Sequence, residues 1–148
     1  GAADALVGRV RHLVYIDAVV PFSGECWSSA QPAATQAARR AAIAQTGFIP
    51  PPDPSIFGLT GADHAWVARR QTPHPGGVYD APLDFDAQRW AALPRTFVDC
   101  TTPALATIAP IRERVGAQPG WTVHEIATGH DAMVSEPDAL VRILLSVV

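Results

Sequence analysis

Lysine is absent from this 148-residue chain, and all 11 of its basic residues are arginine. They are scattered. The doublets Arg39-Arg40 and Arg69-Arg70 are too short to form a patch, and the formal net charge is -3. That balance argues against nucleic acid or an anionic membrane as a partner. Cysteine is nearly absent. Cys26 and Cys100 form no C-x-x-C pair, and the sequence offers no thiol metal site and no support for a disulfide. His12, His64, His74 and His124 share no helical spacing with a carboxylate, so neither a metal nor a cofactor is expected. Apolar runs are far shorter than the roughly 20 residues that a spanning helix needs. Gly1–Val7 lacks the basic start, apolar middle and cleavage site of a leader, so the expected compartment is the cytoplasm. Methionine occurs once, at Met133, and the first residue is glycine. The chain therefore reads as a piece of a longer one.

Hydrophobic residues make up 48% and charged residues 17%, a composition sufficient for one globular core. Gly1–Val7 reads as the tail of a helix ending near Gly8. Arg11–Ala18 (RHLVYIDA) contains the continuous apolar run Leu13–Ile16, as in a strand covered on both faces. Arg95–Cys100 and Trp121–Ile126 are two further strands. A helix around Ile108–Val115, with Pro110 in its first turn, separates them. The last helix is expected to be capped by Ser135, with Pro137, Glu136 and Asp138 at its start. Ala139, Leu140, Ile143, Leu144 and Val147 form its apolar stripe.

Residues 19–93 are too long for a plain connection and read as an inserted cap or lid. Within it, Ala33–Gln45, Ala62–Arg70 and Asp86–Ala92 suit helices. The run Pro50-Pro51-Pro52-Asp53-Pro54 and the stretch Thr72–Gly77 break them. Strand, cap, strand, helix, strand, helix is the order of an α/β fold with a mostly parallel sheet.

Reactive groups in such sheets gather beyond the carboxyl ends of the strands. Asp17, the region Asp99–Thr102, and His130 fall there. Gly129 permits a tight turn directly after a strand, which would present the His130 imidazole at the sheet rim. An imidazole so placed can take a proton from a serine hydroxyl and return it to a leaving group. A single histidine is more often structural, and its neighbours supply the stronger signal.

The segment TGHDAMVSEP, residues 128–137, resembles the histidine loop of α/β-hydrolases, in the branch of plant methylesterases, hydroxynitrile lyases and their bacterial relatives. HLVYIDAVVPFSGECW, residues 12–27, resembles the sixth strand and cap entrance of the same branch. The resemblance implies the C-terminal portion of that fold, a Ser-His-Asp triad and an esterase. It also implies a serine on a G-x-S-x-G turn, a motif this sequence does not contain. The expected place for that serine is roughly one to three helical turns before Gly1, with the oxyanion hole also upstream. The fragment alone is expected to be inactive, with its first strand an exposed apolar edge.

The triad acid of this branch follows the seventh strand. Here that loop reads Thr101-Thr102-Pro103-Ala104-Leu105, with no aspartate at the expected place. Asp17 is the first replacement, Asp99 the second, and Asp131 the last. Among the cap aromatics Trp27, Phe48, Phe57, Trp66 and Tyr79, the residues Trp27 and Trp66 are candidates for contact with a small apolar ester or related molecule. Met133 is a third such candidate. Packing the cap onto the sheet is the plainer reading for each of them, and Trp90 and Trp121 read as structural. Two alternatives keep the fold: a carbon–carbon lyase of the hydroxynitrile type, and a non-catalytic small-molecule binder.

Overall fold

The computed structural model describes residues 2–6 and 8–147. In chain order the elements are α1 (Ala2–Ala5), β1 (Leu13–Ile16), α2 (Ala33–Thr46), β2 (Phe48–Ile49), α3 (Gly61–Ala68), β3 (His74–Pro75), α4 (Ala87–Ala92), β4 (Arg95–Cys100), α5 (Ala109–Gly116), β5 (Trp121–Ile126), α6 (Ala132–Ser135) and α7 (Pro137–Ser146). Short 3-10 turns at Trp27–Ala30, Pro54–Phe57, Gly76–Val78 and Ala106–Ile108 join them. The expected first helix survives as α1; Gly1 and Val7 lie outside the described residues.

The main sheet has the order β1-β4-β5, parallel throughout. Alternation along β4 assigns its side chains to two layers. Phe97 joins Val20, Ile108, Ile111 and Val115 under α5, with Tyr15, Trp90 and Trp121 packed against them. Val98 and Cys100 join Ile126, Ala132 and Leu140 under α7, along with Val14, Ile16, Ile143 and Leu144. The result is a sheet between two helical layers, the α/β class that the element order implied. Arg95 is buried on the α5 side. Its guanidinium lies 4.3 Å from the Trp90 ring centre and 4.9 Å from that of Trp121, and it donates to the Pro119 carbonyl at 3.1 Å. Ring contact and one hydrogen bond together hold the cation.

The segment between β1 and β4 contributes the antiparallel pair β2–β3 and the helices α2, α3 and α4. Its entrance is tied to α5 by Arg114, which binds Glu25 at 2.6 and 3.0 Å and the Val20 carbonyl at 2.9 Å. That guanidinium holds the Glu25 carboxyl below its ordinary value.

The first strand is the apolar run Leu13–Ile16 within Arg11–Ala18, in register with β4, and Asp17 turns away where the run ends. One local expectation needs correction. Ser135 does not cap the last helix. It closes α6, where its hydroxyl donates to the Asp131 carbonyl one turn back at 3.2 Å and meets the Thr128 hydroxyl at 2.6 Å. Glu136 stands at the start of α7 without a side-chain capping bond, and Pro137 follows in the first turn. Among the described residues no helix is long and apolar enough to cross a membrane.

Candidate functional site

Three chain segments converge beyond the carboxyl ends of the strands. Asp17 follows β1. Its amide still donates to the Val98 carbonyl at 2.8 Å, but its φ of 42° turns the chain out of the sheet. A left-handed backbone is uncommon outside glycine, although aspartate tolerates it better than most residues. Such strain persists where the surroundings enforce it, and it concentrates at functional sites. The turn leaves the Asp17 carboxylate fully buried.

The His130 loop follows β5. Thr101 donates to the Ile126 carbonyl at 3.0 Å and Thr102 to the Thr128 carbonyl at 2.9 Å, so the loops after β4 and β5 are laced together. His130 emerges from this lacing with Nδ1 2.8 Å from Asp17 Oδ2. Its side chain is 26% exposed, while that of Asp17 is wholly covered. Among the described residues Nε2 has no hydrogen-bond partner.

Gly129 serves a purpose other than the one its turn suggested. Its φ is not positive. The need is for space: a Cβ there would come within 2.9 Å of the Phe57 carbonyl carbon, and nearer still to its oxygen. The backbone at Phe57 and Gly58 therefore rests directly on the histidine loop. The Phe57 ring lies over the imidazole, with centroids 5.0 Å apart and planes inclined at 36°. Gly58, at φ 83°, passes the loop after β4 so closely that a Cβ would come 2.7 Å from Pro103 Cδ.

Asp99 does not reach toward the imidazole. Its carboxylate binds Nε of Arg112 on α5. The same guanidinium donates to Asp17 Oδ1 at 2.7 Å, to the Cys100 carbonyl at 3.0 Å and to the Leu105 carbonyl at 3.0 Å. Beneath this cluster, burial together with the charges of Asp17 and Asp99 pushes the Cys100 thiol up to about 11. Burial also raises the Asp131 carboxyl, against the opposing pull of His130. The bonds of Asp131 run through its backbone carbonyl, to the Val134 and Ser135 amides and the Ser135 hydroxyl. Of the three acids weighed from the sequence, Asp17 is thus the one bonded to His130.

The other candidates are dispersed. Trp27 packs on His74 and Tyr79 and carries Arg39 over its ring at 4.7 Å. It lines a cavity of about 710 Å³ beside β1 and α4, walled mainly by apolar groups such as Leu13, Val19 and Phe85. Asp17 and His130 are not part of that wall. The chemistry is better located by the bonded pair than by the larger hollow, because catalysis requires groups within hydrogen-bond reach. Trp66 is 46% exposed, with Arg70 stacked on it at 4.3 Å. Its helix, α3, adjoins the Pro54–Phe57 turn that meets His130. Met133, 52% exposed, stands on α6 just after the histidine. Among the described residues no group of three or more metal-binding side chains could hold an ion.

Sequence reasoning missed Arg112, and it weighed Phe57 only among several aromatics, not as the ring over His130. The first had a readable signal: Ile108, Ile111 and Val115 form the core-facing stripe, and position 112 falls on it. A charge on a buried stripe requires a buried counter-charge.

No protein-family model matches the chain. A carbendazim-hydrolysing esterase from a Nocardioides species is 26% identical over 150 residues, covering 95% of this chain and 62% of that protein. An extracellular α/β-hydrolase from a Paenibacillus species, described as sharing structural and functional homology with tobacco salicylic acid binding protein 2, superposes with a TM-score of 0.79. The identity is 16%, over 98% of this chain and 64% of that one. The pyrethroid hydrolase PytH superposes with a TM-score of 0.61, at 16% identity, over 98% and 63%. The chain spans less than two thirds of the length of each of these relatives. With its parallel β1-β4-β5 sheet between two helical layers, the chain carries the α/β-hydrolase fold and fits the C-terminal portion of it.

Proposed function

We propose that the protein is a carboxylic ester hydrolase in which His130 moves the proton and Asp17 orients it. The serine nucleophile would stand on a G-x-S-x-G turn in sequence preceding Gly1. One observation carries this reading: the 2.8 Å bond from His130 Nδ1 to a buried carboxylate, with Nε2 left open. With Nδ1–H donating to Asp17, Nε2 is the basic nitrogen. It accepts the serine proton as the oxygen attacks the ester carbonyl, then returns that proton to the departing alcohol. Water activated by the same nitrogen releases the acid from the acyl-enzyme. Asp17 stabilises the imidazolium that forms between these steps.

The hydrolase names of the Nocardioides and PytH relatives support the reaction class. Trp27, Trp66 and Met133 are proposed as contacts for a small apolar ester, which suits their large apolar surfaces. In the intact protein, His130→Ala is expected to lower p-nitrophenyl acetate hydrolysis by about 10⁴-fold or more, with the thermal melt preserved. Hydrolysis at the original rate would end the proposal.

A further inference from the structure

We infer that Arg112 is a positioning residue for this reaction. It fixes the Asp17 carboxylate and aims one of its oxygens at His130, in place of the acid absent from the loop after β4. The inference rests on the esterase reading above.

Arg112 lies on α5, and its side chain is one-fifth exposed. Nε donates to Asp99, Nη1 to the Leu105 carbonyl, and Nη2 to both Asp17 Oδ1 and the Cys100 carbonyl. Most of its donors are therefore committed, which fixes the plane of the group. Asp17 is gripped at both ends, Oδ1 by Arg112 and Oδ2 by His130, so its carboxylate cannot rotate without breaking a bond to a charged or chargeable group. The loop after β4 cannot supply the acid, because Pro103 and two threonines occupy it.

The charge count gives the group its purpose. With the imidazole neutral, Asp17 and Asp99 outweigh the single guanidinium. When His130 takes up the serine proton, the four groups balance. Charge developing in the reaction is thus neutralised within the cluster, in surroundings dry enough for it to matter. The other titratable groups facing the cluster are Cys100 on β4 and Asp131 beside the imidazole. Burial raises the pKa of both.

Two opposite shifts follow. Without Arg112 the imidazole faces two carboxylates and no counter-charge, which favours proton uptake. Arg112→Gln should move the acidic limb of the kcat/KM profile to higher pH, and lower kcat by about 10- to 100-fold with little change in KM. Arg112→Lys keeps the charge but loses the fork, so it should restore the limb and only part of the rate. Asp99→Asn removes a negative charge and should move the limb to lower pH. The experiment is the kcat/KM profile of the intact protein and these variants with p-nitrophenyl acetate, alongside His130→Ala. A merely structural arginine would alter the melt and leave the limb in place, and that result overturns the inference. If neither arginine variant folds, Asp99→Asn decides by moving the limb down or leaving it unmoved. Activity that survives His130→Ala would overturn the esterase reading instead.

Discussion

Asp17→Asn in the intact protein is expected to reduce kcat by about 10⁴-fold, with substrate binding largely kept. The amide has nearly the shape of the carboxylate, so packing around the buried position survives. What changes is the partner offered to His130 Nδ1. An amide can present its N–H₂ to that nitrogen, which would fix the wrong tautomer and leave Nε2 protonated. Even with the carbonyl oxygen facing the ring, no charge remains to stabilise the imidazolium. Asp99→Asn is expected to cost far less, because its carboxylate meets Arg112 and not the imidazole. Steady-state kinetics on the two variants checks the order, and a greater loss at Asp99 would transfer the acid role to it.

Gly129→Ala should also have a large effect, although it adds a single methyl group. The new carbon would press on the Phe57 carbonyl, which is backbone and cannot swing aside like a side chain. Either the Phe57 segment lifts from the rim or the histidine loop retreats. Overpacking of this kind costs typically about 1–3 kcal/mol. A displacement of the imidazole by about 1 Å can cost about 100-fold in rate. The expected outcome is a lowered melting temperature together with a fall in kcat of at least that size. Gly77→Ala is the control. It lies between β3 and α4 with open space around it and no positive φ, so stability and rate should hold. Equal behaviour of the two variants would show that the Phe57 backbone does not rest on the loop as described.

The main sheet was legible because short β-branched and apolar runs, bounded by glycine, proline and aspartate, admit few other readings. Arg95–Cys100 and Trp121–Ile126 match the observed strands at both ends. The first strand is likewise the apolar run Leu13–Ile16, but the left-handed turn that Asp17 adopts at its end is not announced by composition. Ser135 looked like a cap because its residue type and the following proline fit one. A preceding helical turn had already placed it inside α6.

At the site, Asp17 and His130 could be named from their places at strand ends, but their bond could not. It joins residues separated by 113 positions and depends on Arg112, whose side chain crosses from another layer. Phe57 was named among the aromatics, but its contact with the imidazole was beyond reach for a similar reason. That contact arises only once the segment between β1 and β4 folds back, and nothing near Phe57 in the chain encodes that return.

The most direct test of the His130–Asp17 pair is the ¹⁵N and ¹H NMR spectrum of the His130 ring in the intact protein at neutral pH. A protonated Nδ1 coupled to an unprotonated Nε2 is the expected result, with the Nδ1 proton shifted to low field by the carboxylate and the signal lost in Asp17→Asn. A ring protonated at Nε2 with Nδ1 bare, or a spectrum indifferent to Asp17→Asn, would contradict the arrangement on which the proposed chemistry depends.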